Sequence, residues 1–337
     1  RKTETYLLSH GITSTEEITY EVREAYEQYL LASIKEAKVN EYLKSLDIMK
    51  LASIRRENEN APFKERKLRY NGGKIFLLYH PDYELAQTFY YVRNKKELLF
   101  DFSLPSKDGV KYQIFFMLNY ILEHEKDWKQ RRERFIVPLK LLYEFCIEQG
   151  IEDLEKLEEM EIELFRDKLK ALEVDKDDIY IQIVDNIRKF LFLRAKKTNW
   201  EANVWYMERF NFQSDRMNPA NPVVRIPFMQ VHDKENRRYF QLYLQYMIGV
   251  TSLSISNIRF QYYRVSEFLE YCDTKGLSVL AITAQDMDEY FKHIDSDILP
   301  DTFNGKAADI YKFFRFMVVK GFIKNVPYKL EYYLKNV

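Results

Sequence analysis

Two stretches near the end of the chain gather hydroxyl, amide and cationic side chains where helices should start. In TSLSISNIRFQYYRVSEFLEYC (251–272), Ser254, Ser256 and Asn257 open the first, and Arg259, Tyr263 and Arg264 follow where they can share a flank. In TFNGKAADIYKFFRFMVVKGFIKNVPY (302–328), Thr302, Asn304 and Lys306 open the second, followed by Lys312 and Arg315. Free backbone N–H groups and the helix dipole favour an anion at a helix start, so these residue types suit phosphate oxygens. For each Ser or Thr, a simple N-cap is the competing explanation.

Net charge is zero, with 52 Lys and Arg against 52 Asp and Glu. The balance hides a segregation. Acid crowds 144–178, whereas 126–140 (Lys129, Arg131, Arg132, Arg134) and 188–197 (Arg188, Lys189, Arg194, Lys196, Lys197) are basic. A local basic patch can neutralise phosphates whatever the total, because each contact releases a counterion nearby. Such runs also arise as plain solvated helix faces.

Signs of catalysis are missing. The chain has no GxGxxG, no GxxxxGK[ST] and no G-x-S-x-G, and no pair of carboxylates stands out from the helix-surface background. It has no CxxC or HxxxH pair, and its 5 histidines are scattered singly. No metal, cofactor or small-molecule ligand is expected. Cys146 and Cys272 lie in apolar helical surroundings and read as buried thiols, not as a bridge.

These residues must be carried by helices. Amphipathic periodicity runs through most of the 337 residues, Gly and Pro are scarce, and no apolar run reaches the roughly 18 to 20 residues of a membrane span. The expected class is mainly α and the expected location cytoplasmic. Residues 1–60 read as a helical unit opening near Ser14-Thr15-Glu16-Glu17. Residues 61–108 read as a small β-meander with turns at Asn71-Gly72-Gly73 and Arg93-Asn94-Lys95. Helices resume over 109–213. Residues 214–234, with three prolines, read as an extended linker, and a last helical domain occupies 235–337.

The two later blocks echo each other. When LYEFCIEQGIEDLEKLE (142–158) is laid on FLEYCDTKGLSVLAIT (268–283), Cys146 falls on Cys272, Gly150 on Gly276, Ile151 on Leu277 and Leu154 on Leu280. A fainter echo at 10–19 keeps Gly11, Ile12 and Ile18. Duplication explains the match, and the glycine has its own cause as a left-handed helix cap.

The last block resembles the core-binding, SAM-like domain of tyrosine recombinases, or phage integrases. The resemblance rests on the Ser-led helix with its Tyr, the Phe268-Leu269…Cys272…Gly276-Leu277 turn and the Ile282-Thr283 start before acid. It continues with the aromatic pairs of the long helix and a closing Lys320, Gly321, Ile323, Asn325 and Pro327. It covers 235–337 well, 109–213 as a diverged copy and 1–60 only faintly, which makes the expected fold tandem SAM-like core-binding helical domains with a β-meander insertion. An integrase of a multi-recombinase transposon is the nearest kind of relative it suggests.

The resemblance implies a clamp on double-stranded DNA, with the second and fourth helices of the domain toward the major groove. Its contact candidates are then Ser254, Ser256, Asn257, Arg259, Tyr263 and Arg264 on one helix and Thr302, Asn304, Lys306, Lys312 and Arg315 on the other. Asn257, Arg259, Asn304 and Lys306 are those placed to reach base edges. Lys129, Arg131, Arg132, Arg134, Arg188, Lys189, Lys196 and Lys197 join as flanking contacts. The family's catalytic box is missing: the residues three after each His are Thr13, Tyr83, Asp127, Glu235 and Ser296, never Arg. The chain opens on Arg1 and stops where such a domain ends, so a cut piece of a DNA-breaking and rejoining enzyme is expected, one that recognises mobile-element ends in DNA integration and transposition. Its partners would be the recombination site and other recombinase protomers. The alternatives are a helical protein-interaction scaffold, or an accessory factor without DNA cleavage; the meander edge could also serve dimerisation.

Overall fold

A computed structural model describes residues 2–60, 62–174, 177–295 and 298–336. The fold is mainly helical with two small antiparallel sheets. It forms two compact units, Arg1–Leu154 with Phe165–Ile187, and Glu155–Leu164 with Arg188–Val337. Among the described residues, no helix is long and apolar enough to cross a membrane.

The first unit begins with α1 (Lys2–Ser9), α2 (Tyr20–Ser33) and α3 (Glu36–Asn60). Ser14 and Glu17 do form a capping box, but it opens a single 3-10 turn; α2 starts behind a second cap, Thr19. Tyr26 and Leu30 then pack, without exposure, in one cluster with Leu43 and Leu46. Within it Arg23 and Asp47 pair at 2.9 Å, both buried, and the Tyr79 hydroxyl donates to the same carboxylate at 2.8 Å.

The expected meander is instead one strand pair, β1 (Lys74–Phe76) with β2 (Leu99–Asp101), Ile75 facing Phe100. The aromatic run between them does not make a third strand. Asp82 accepts from the Leu85 N–H and starts α4 (Tyr83–Thr88), and Ala86, Phe89 and Val92 bury at helical spacing. Next come α5 (Asp108–His124), α6 (Trp128–Gln130), a π turn at Arg131–Ile136, α7 (Val137–Gln149), α8 (Glu159–Ala171), α9 (Asp177–Tyr180) and α10 (Gln182–Arg194). The unit boundaries fall between Leu154 and Glu155 and inside α8 and α10.

The second unit pairs β3 (Val204–Tyr206) with β4 (Arg225–Pro227) and adds α11 (Lys234–Val250), α12 (Ile255–Lys275), α13 (Ala284–Asp295) and α14 (Pro300–Val319). Residues 214–234 are therefore more than a linker. They supply β4, and Ile226, Phe228 and Val231 enter the core beside Trp205 and Phe240. Thr283 and Asp286 cap α13 reciprocally, the Thr283 N–H donating to Asp286 at 2.8 Å and the Asp286 N–H to Thr283 Oγ1 at 3.3 Å.

The echoed segments share one backbone solution. Gly150 (φ 68°, ψ 28°) ends α7 and Gly276 (φ 65°, ψ 32°) ends α12. The next N–H, of Ile151 or Leu277, returns to the Cys146 or Cys272 carbonyl at 2.9 Å. After α1 the Ile12 N–H closes onto Leu7 in the same way at 2.9 Å, with Gly11 left-handed. Only glycine reaches this conformation without a Cβ penalty. An amide from an earlier helix, α5 or α11, then holds the chain beyond each cysteine turn. Gln113 accepts from the Leu154 N–H at 2.9 Å, and Asn236 accepts from the Val279 N–H at 2.9 Å while donating to the Leu277 carbonyl at 2.9 Å. Both cysteines are buried free thiols, and burial pushes the Cys272 pKa well up.

Candidate nucleic-acid interface

Ser254 caps α12, its Oγ accepting from the Asn257 N–H at 3.2 Å. Behind that cap Ile255, Ile258, Tyr262, Val265, Phe268, Leu269 and Cys272 form the buried stripe. The opposite side exposes Asn257, Phe260 and Tyr263 and leaves Ser256, Arg259 and Arg264 half-buried. Arg259 and Arg264 do not share a flank. Five positions at 3.6 residues per turn put them about 140° apart around the helix.

In α14 the core stripe is Phe303, Ala307, Ile310, Phe313, Phe314 and Met317. Thr302, Lys312 and Arg315 are exposed. Arg264 of α12 reaches across to Asp309 of α14 at 2.7 Å, and Lys312 meets the other oxygen of that buried carboxylate at 2.8 Å. Arg264 can lie there because residue 305 is glycine: a Cβ would sit 2.7 Å from both terminal guanidinium nitrogens.

Two residues expected at base edges are used inside the fold. Lys306 is buried and paired with Glu267 of α12. Asn304 exchanges two hydrogen bonds, at 2.9 and 2.8 Å, with the backbone of Lys335. Their types matched a helix start, but neighbouring elements already occupy their polar atoms. Asn257, Arg259, Tyr263, Thr302, Lys312 and Arg315 remain open to solvent or partly so. Among the described residues, neither Arg259 nor Arg315 has an ion-pair partner.

The flanking cations divide in the same way. Arg131 is buried; it donates to the Glu125 carbonyl at 3.2 Å and Thr88 Oγ1 at 2.9 Å and lies over the Phe89 ring. Burial also lowers its pKa. Arg132 pairs with Glu97 at 2.8 Å. Arg188, also buried, donates to the Leu157 carbonyl, and Lys189 pairs with Glu208 at 2.6 Å. Lys129, Arg134, Lys196 and Lys197 are exposed.

Several determinants had no sequence signal strong enough to find them. Arg237, buried at the start of α11, forks onto Glu158 at 2.7 and 2.9 Å and also reaches Asn203 at 3.0 Å and the Val231 carbonyl at 2.7 Å. Asp309 was visible as an acid three positions from both Lys306 and Lys312, but its partner on α12 was not. No family model, curated protein or solved structure matches the chain.

Proposed function

We propose that this chain is the DNA-binding region of a site-specific tyrosine recombinase, built from tandem SAM-like helical domains and gripping duplex DNA at a mobile-element end. The observation that carries this reading is the α12–α14 pair: two helices locked together by Arg264 and Asp309, with Asn257, Tyr263, Lys312 and Arg315 left outward. Lys312 and Arg315 are the phosphate contacts; Asn257 and Arg259 are the residues left to read base edges. Lys129, Arg134, Lys196 and Lys197 are the flanking grip.

The test is titration of the chain with duplex DNA, both random and from candidate element ends, across a salt series. The expected result is a linear fall of log affinity with log salt. Absence of duplex binding at every salt overturns the proposal.

One observation favours a protein-binding scaffold instead. Many of the candidate cations, including Lys306, Lys312, Arg132 and Lys189, are matched by carboxylates of the same chain, which leaves fewer to meet phosphates. A scaffold predicts no duplex binding in the same titration.

A further inference from the structure

The C-terminal halves of α11 and α14 enclose a groove of about 420 Å³. Its walls are Tyr246, Met247, Leu253, Phe316 and Val319, and its rim carries Lys312, Arg315 and Lys320. Among the described residues no carboxylate lines it, although Lys312 is already paired with Asp309. Lys320 lies 5.9 Å from the ring centres of both Tyr246 and Phe316. Two of its polar groups satisfy each other, the Tyr243 hydroxyl donating to Gln261 at 2.8 Å, and Thr251 is bonded to the Met247 carbonyl at 2.7 Å. The groove therefore suits an apolar side chain flanked by negative charge.

The same unit displays the complementary shape. On α8, Met160 is 74% exposed and Leu164 47% exposed, one turn apart on one face. Glu159 and Glu163 are exposed beside them. The start of this helix is anchored near the beginning of α11 through Glu158 and Arg237. The groove opens at the other end of α11, about nine residues or 14 Å further along the axis. Ridge and groove of one copy thus occupy separate places.

We infer that the Met160–Leu164 ridge of one copy docks in the α11–α14 groove of a second copy, with Glu159 meeting the cationic rim of Lys312, Arg315 and Lys320. The contact is head-to-tail, because the two patches differ. The rim shares Lys312 and Arg315 with the proposed phosphate contacts, so the test is made without DNA and on Met160, Val319, Lys320 and Glu159, to which the proposed function gives no role.

The experiment is sedimentation equilibrium of the whole chain without DNA. Wild type should associate with rising concentration. Met160→Asp and Val319→Asp should each weaken association about tenfold or more, without altering the unfolding midpoint, since both positions are exposed. Lys320→Glu and Glu159→Lys should each associate poorly alone and recover on mixing, when an intact ridge meets an intact groove and a reversed ridge meets a reversed groove. A chain that stays monomeric at every concentration overturns the inference, as does association indifferent to these changes. Loss of duplex binding in Lys320→Glu with self-association intact also overturns it, assigning the groove to DNA.

Discussion

Arg264 lies across the bare backbone of Gly305 and holds Asp309 at 2.7 Å from the neighbouring helix. The glycine is therefore a spacer between α12 and α14, although it sits inside a helix where alanine is ordinarily preferred by about 0.5–1 kcal/mol.

Gly305→Ala should reveal this by its dependence on background. In wild type the new methyl displaces the guanidinium from Asp309, and stability should fall by about 1 kcal/mol after the helix-propensity gain is included. In an Arg264→Ala background the same change should raise stability by about 0.5–1 kcal/mol. Urea unfolding of the four variants measures both, and equal effects in the two backgrounds would contradict the spacer role.

The exposed and the buried cations should differ in salt response. Lys312→Ala and Arg315→Ala should each lower the slope of log affinity against log salt by about 0.9, as expected for one lost phosphate contact. Lys306→Met should leave the slope alone and change stability instead, because its ammonium is spent on Glu267. A slope change in Lys306→Met that matches the other two would place Lys306 on DNA.

The amide clamps are the cheapest test of the repeated turn. Asn236→Ala removes the group that accepts from the Val279 N–H and donates to the Leu277 carbonyl, and Gln113→Ala removes the acceptor that Gln113 gives the Leu154 N–H. Each should cost about 1–3 kcal/mol. Hydrogen exchange should report faster exchange at Val279 in the first variant and at Leu154 in the second.

His80 gives the first unit an acid sensitivity. Buried beside Arg131, it has a pKa lowered from 6.5 to about 4, desolvation outweighing the opposite pull of Asp82. The unfolded chain takes up its proton below about pH 6.5 and the folded one only near pH 4. Its contribution is therefore complete above pH 6.5 and lost as pH falls to about 4, worth about 3 kcal/mol in total. His80→Gln should flatten the stability profile in that window; an unchanged slope would remove His80 as its source.

Much of the helical plan could be read from residue order alone. The helical character of 235–337 and the left-handed Gly150 and Gly276 depend on neighbours within a few positions. What escaped depends on distant partners. Prolines 219, 222 and 227 conceal β4, whose pairing strand lies about twenty residues earlier. The aromatic richness of 83–92 imitates a strand, and the helical burial of Ala86 and Phe89 shows only against a core. The same holds for the interface: helical spacing says which side chains share a face, but not that Glu267 takes Lys306 or that Lys335 takes Asn304.

The pairing of β4 with β3 bears on how this molecule would respond to proteases. Residues 217–222 are all exposed, a ready cleavage point. A cut there severs the chain between two strands that remain zipped in register, Trp205 to Ile226, while Arg237 still grips Glu158. The two fragments should travel together through gel filtration and separate only in denaturant, so a nick at this proline-rich bend leaves the particle whole.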